Sequence, residues 1–101
     1  MSVRTRNGWQ AEAFVQRILT ERHPGCEVVP LAPSFPADLL VLPDHTPYQF
    51  YEVKSSRNRA QALRTKLTAP EAAFRARMVG RHVIARVQTF PGGACELLRE
   101  E

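Results

Sequence analysis

Apolar positions recur at helical spacing in the first quarter of the chain and at strand spacing through much of the rest. Ala11, Phe14, Val15, Ile18 and Leu19 form one stripe, with Arg17, Glu21 and Arg22 on the opposite side. This predicts an amphipathic helix from about Gly8 to Arg22, capped by Asn7 and ended by His23-Pro24-Gly25. Cys26 to Ala32 reads as a strand in which Pro30, lacking an N–H, marks a sheet edge or a bulge. Ala32-Pro33-Ser34-Phe35-Pro36 then turns the chain, with Phe35 expected to pack beneath the turn. Two further strands follow, Pro36 to Leu42 with a Leu-Leu-Val-Leu core and Tyr48 to Lys54, rich in aromatic and β-branched residues. Pro43-Asp44-His45-Thr46-Pro47 between them is turn chemistry, and so short a connection makes them antiparallel neighbours.

Past Lys54 the chain becomes polar. Ser56 to Leu67 reads as a loop or a short helix carrying Ala60, Leu63 and Leu67. Thr68-Ala69-Pro70-Glu71 is a capping box, with Thr68 as N-cap and Glu71 at the third helical position. The helix it opens should run to about Val79 and stop at Gly80. The cap by itself accounts for Glu71. His82 to Phe90 predicts a strong strand, with His82 structural at its entrance. Pro91-Gly92-Gly93 is a turn, and Ala94 to Leu98 a short last strand. Helix, three strands, helix and strand make an α/β chain with a mixed central sheet flanked by helices; the second helix allows a crossover that sets the fourth strand parallel to the third. The length of 101 residues fits one small domain with a single core.

The central hairpin carries the chemistry. If Leu42 faces Tyr48 across the connection, counting back along both strands places Asp38 opposite Glu52. Opposed Cβ atoms lie roughly 4.5–5.5 Å apart, and like charges at that spacing destabilise a strand pair. A divalent cation between the two carboxylates reverses the sign of their interaction. Side chains alternate along a strand, so Lys54 shares the face of Glu52. A one-residue slip would separate the two acids onto opposite faces, so the reading depends on register. Read blandly, an isolated E-x-K triplet is a solvated strand end; Pro36-Ala37-Asp38 at the mirrored end of the same hairpin is what raises it above that. Glu12 borders the buried face of the first helix, either as a first-turn acid that favours the helix dipole or as a third carboxylate leaning toward the metal.

Charge adds a partner. The formal net charge is +4, and the pI of about 9.7 favours an anionic partner. From Arg57 to Arg86 eight arginines and lysines stand against the single acid Glu71, so the positive charge is local and follows the hairpin directly. Arg57, Arg59, Arg64 and Lys66 fall in the polar connection, where a run of like charge has little structural purpose. Cys26 and Cys95 lack metal-site spacing, and no apolar run approaches the roughly 20 residues of a membrane span. The N-terminal residues carry no signal-peptide-like segment. A cytoplasmic protein, cellular or phage- or virus-encoded, is the expectation.

The combination of Glu12 on the first helix, Pro36-Ala37-Asp38 opening one strand and Glu52-Val53-Lys54 closing the next resembles the PD-(D/E)XK nuclease superfamily, with its restriction-endonuclease-like αβββαβ core. The compact size looks most like a virus-type replication-repair nuclease (VRR-NUC) domain, and the E-V-K-S stretch looks like archaeal Holliday-junction resolvases. Pro-Ala-Asp stands where the name of the superfamily implies Pro-Asp. Where VRR-NUC-like domains often carry Gln on the following helix, the nearest match here is Glu71, with Gln61 earlier in the chain. The resemblance implies a metal-dependent endodeoxyribonuclease, with junctions or branched DNA as candidate substrates. It implies Mg²⁺ or Mn²⁺ held by Asp38, Glu52 and the Val53 carbonyl, with Glu12 binding metal or orienting its water. Lys54 would position the attacking hydroxide. Arg57, Arg59, Arg64 and Lys66 would grip the DNA backbone, and a homodimer would cut two strands. Two other readings stand beside it: a non-catalytic nucleic-acid-binding module on the same fold, and a small accessory subunit that binds protein alone.

Overall fold

In the computed structural model, residues 6–42 and 47–101 are described. The element order is α1 (Arg6–Arg22), β1 (Glu27–Pro30), β2 (Leu39–Leu42), β3 (Gln49–Ser56), α2 (Arg59–Arg64), α3 (Ala69–Arg77), β4 (His82–Thr89) and β5 (Cys95–Glu100). A single 3₁₀ turn, Pro91–Gly93, joins the last two strands. The chain is α/β, with a five-stranded mixed sheet flanked by helices. The strands lie in sequence order, with β3 and β4 parallel and the other neighbours antiparallel. Pro30 stands on the edge strand β1, where its missing N–H costs no ladder bond.

Strand alternation divides the sheet into two unlike faces. One side presents Leu39, Val41, Tyr51, Ala85 and Val87, which close against Ala11, Val15 and Leu19 of α1 in one buried cluster. The i, i+4, i+8 spacing of those helical residues is the stripe that the hydrophobic pattern predicts. The other side presents Glu52, Lys54, His82, Ile84 and Arg86 toward α2 and α3. Phe74 anchors α3 there, with ring centroids 4.9 Å from Phe50, 5.4 Å from Phe35 and 6.0 Å from His82.

Several local expectations are corrected. The helix reaches back to Arg6, so Asn7 lies within α1 and is not its cap. β2 begins at Leu39, because residues 33–38 are held in turns, with the Phe35 N–H donating to the Ala32 carbonyl at 2.9 Å. The turn expected at Pro43–Pro47 lies, but for Pro47, outside the described residues. The polar connection does form a helix, opened by Asn58, whose Oδ1 accepts from the Gln61 N–H at 3.0 Å. Ala62 is its fully buried residue, and Ala60 is exposed. α3 stops at Arg77, two residues short of Val79, and Gly80 at φ +77° turns the chain into β4. β5 runs on to Glu100, two residues past the expected end.

Arg86 is also reassigned. It belongs to the basic run in sequence but is only 7% exposed. Its guanidinium donates to the Ala62 and Thr65 carbonyls at 3.2 and 2.7 Å and pairs with Glu101. It satisfies the C-terminal carbonyls of α2 and fixes that helix to β4, so it is a structural cation. Arg75 likewise turns inward, donating to the His82 and Glu101 carbonyls at 3.2 and 3.3 Å.

Candidate active site

The hairpin pairs as the count along the two strands expects, Leu39 with Tyr51, Leu40 with Phe50 and Val41 with Gln49. Asp38 stands one residue before β2, outside that ladder, and its charge acts on Glu52. Asp38 is immobilised there: its N–H donates to the Tyr51 carbonyl at 3.0 Å and its carbonyl accepts from Leu31 at 2.8 Å. Its carboxylate Oδ2 accepts the Val53 N–H at 2.7 Å. The side chain is thus bound to the strand that carries Glu52.

Glu52 is 4% exposed. Lys54 Nζ approaches its Oε1 at 3.7 Å and, more closely, Glu71 Oε1 at 2.8 Å. Glu71 is therefore not only a helix cap. The capping box is present, with the Thr68 N–H donating to Glu71 Oε1 at 2.8 Å, and the same oxygen takes Lys54. Glu71 is the site residue that sequence reasoning set aside, because a local motif explained it completely. The signal that could have found it is that Glu71 is the single acid in the basic stretch from Arg57 to Arg86.

Two carboxylates, Glu52 and Glu71, share one ammonium, and Asp38 adds its charge nearby. Burial pushes the Glu52 carboxyl up to about 10, helped by the negative charge of Asp38, by its hydrogen bond to Glu71 and by the Glu71 charge; Lys54 opposes these only in part. Burial by itself would raise Glu71 as well. Hydrogen bonds from Lys54, from the Thr68 backbone and from Glu52 outweigh it and bring Glu71 down to about 2. The surroundings thus push the two acids in opposite directions, Glu52 upward and Glu71 downward.

The remaining candidates take different places. Gln10 lies against Gly93 and Cys95, and Arg22 pairs with Glu100 at 2.8 Å, so α1 runs alongside β5 and antiparallel to β4. Its early turns, with Glu12, stand over the C-terminal ends of β3 and β4, but on the apolar face of the sheet. Glu12 is not among the groups that shift Glu52. Arg57, Arg59, Arg64 and Lys66 are exposed, on α2 and its flanks, following directly on the end of β3. Gln88 Nε2 holds the Arg57 carbonyl at 3.0 Å, and Arg59 makes a long 3.8 Å ion pair with Glu96.

Among the described residues no three His, Cys, Asp or Glu side chains converge as a cage for a cation. Any cation at Asp38 and Glu52 would complete its shell with water, main-chain carbonyl or substrate oxygens. Among the described residues no helix is long and apolar enough to cross a membrane. No protein-family model matches the chain, and no curated protein or solved structure matches it.

Proposed function

We propose that the chain is a Mg²⁺- or Mn²⁺-dependent endodeoxyribonuclease with a restriction-endonuclease-like core of the PD-(D/E)XK kind. The observation that carries this reading is the buried Glu52, with the Asp38 carboxylate bonded to the neighbouring Val53 N–H and Lys54 on the same face. A strand pair selected for stability would not bury an acid beside a second acid. The donor set fits a hard divalent cation, since Asp38 and Glu52 offer oxygen ligands and the surplus of carboxylate over ammonium is what a dication offsets.

Asp38 and Glu52 are the residues that would hold the cation, with the Val53 carbonyl a further oxygen in the same turn of chain. When bound, the cation supplies a more acidic water and a polarised phosphate. Glu52 would hold the cation as a carboxylate, its proton released to solvent. Lys54 turns from Glu71 to the phosphate, where its ammonium stabilises charge developing on the non-bridging oxygens. Arg57, Arg59, Arg64 and Lys66 hold the flanking backbone.

The test combines calorimetric titration of Mg²⁺ and Mn²⁺ with cleavage of duplex and four-way-junction DNA. The wild type should bind the cation and cut; Asp38→Ala should lose both. Lys54→Ala should keep the cation but cut at least about 10³-fold more slowly, some 4 kcal/mol of barrier. All three proteins should melt within a few degrees of one another. Cleavage that persists in purified Asp38→Ala rejects the reading. DNA binding without cation binding or cleavage favours the non-catalytic module.

A further inference from the structure

An open cleft of about 780 Å³ adjoins the site, lined by Phe35, Pro36, Lys54, Glu71, Phe74 and Arg77 among others. Its volume suits a nucleotide-sized ligand. One wall is aromatic and the other charged. Phe35 is 40% exposed. One face of its ring stacks on Phe50, with centroids 5.8 Å apart and planes 20° from parallel, and Phe74 meets it edge-on at 5.4 Å. That packing fixes the ring while part of it stays open beside the cleft. The tight Ala32–Phe35 turn presents it three residues before Asp38.

The geometry points to a base-stacking subsite: the exposed part of the Phe35 ring receives an unpaired nucleobase next to the phosphate held at Lys54, and Arg77 takes a neighbouring phosphate. This deepens the nuclease reading, on which it rests for the position of the strand, by naming the substrate class as unpaired or splayed nucleic acid. Three features favour a nucleotide over an apolar peptide. Cations line the same cleft, the chain has a positive balance, and the ring is held rigid as a stacking platform requires. A base inside an intact duplex has both faces covered by its neighbours and has no face to offer this ring.

Binding can be measured without cleavage. In EDTA at low salt, the wild type, Phe35→Leu and Phe35→Trp are titrated against a duplex, the same duplex with a two-nucleotide bulge, and a single strand. 2-Aminopurine in the bulge reports stacking. The wild type should prefer the unpaired probes and quench the 2-aminopurine. Phe35→Leu, which keeps apolar volume for Phe50 and Phe74, should lose about tenfold on unpaired probes alone, and Phe35→Trp should retain the preference. Unchanged 2-aminopurine emission on wild-type binding overturns the inference without needing any variant. Equal affinity of Phe35→Leu for unpaired probes, or an equal loss on duplex, overturns it as well. Failure of the nuclease reading shows separately, in cation binding and cleavage by Asp38→Ala.

Discussion

The same strands build both faces of the sheet, yet the faces have opposite character. Toward α1, Leu39, Val41, Tyr51, Ala85 and Val87 bury apolar groups against a helical stripe. Toward α2 and α3, residues one step along in sequence bury Glu52, His82 and Arg86. Apolar burial contributes about 25 cal/mol per Å² with no directional demand. Buried polar groups are tolerated only when partnered, and their net contribution is small or negative. The first face therefore holds the sheet together, and the second uses that stability to keep charged groups in positions they would not adopt in water. Arg86 has been given partners throughout; Glu52 has acids on two sides and a single lysine at 3.7 Å. That difference separates a structural cation from the group on which the proposed chemistry rests.

The comparison breaks most readily on the apolar face. Leu39 is among the largest fully buried side chains. Leu39→Ala should cost about 2–5 kcal/mol in urea denaturation, and a loss under 1 kcal/mol would mean that this cluster is not the main source of stability. On the polar face the sign reverses. Glu52→Gln keeps shape and a hydrogen bond to Glu71 while removing the titrating group. It should stabilise the protein by about 1–2 kcal/mol at neutral pH and abolish cleavage.

The pH dependence sharpens this. The raised Glu52 keeps a proton in the folded state that the unfolded chain releases above its ordinary carboxyl range, so it lowers stability progressively as pH rises toward about 10. Glu71, brought down to about 2, acts oppositely: its contribution is present above the ordinary carboxyl range and is lost as pH falls through about 2. Between pH 5 and 8 the Glu71 contribution is constant, while His82, held below its ordinary imidazole range by burial and by Arg75, adds stability as pH rises and opposes the Glu52 fall. The melting-temperature difference between Glu52→Gln and the wild type should therefore widen from pH 5 to pH 8, and a constant difference would place Glu52 in a less hostile setting than its burial suggests. The smallest effect belongs to the exposed cations. Arg57→Ala should leave the melting temperature unchanged and reduce the slope of log K against log salt for duplex DNA by about 0.9.

Much of the molecule was legible before folding. The helical stripe of α1, the capping box of Thr68 and Glu71, and the parallel pairing of β3 with β4 follow from spacing and from the crossover. The hairpin register was legible because apolar alternation and a short proline-bounded connection leave few ways to pair Leu39–Leu42 with Gln49–Ser56. What escaped the sequence was contact across long separations. Nothing local shows that the α3 cap would reach Lys54, 17 residues away. Arg86 reads as one more cation in a basic run until α2 and Glu101 close over it. Glu12 was legible as a carboxylate near a helix face, but not the side of the sheet on which that face would sit. Phe35 reads as packing and proves half-open beside the site.

Glu71 Oε1 receives two donors at the same distance, 2.8 Å from the Thr68 N–H and 2.8 Å from Lys54 Nζ. A carboxylate oxygen that loses one donor polarises less and holds the other differently. If Lys54 leaves for a phosphate as proposed, the start of α3 feels it without touching the ligand. The protection of the Thr68 amide against solvent exchange then becomes a readout of where the lysine is. Occupancy of the proposed site would be written into the breathing of a helix end, 14 residues along the chain from the lysine itself.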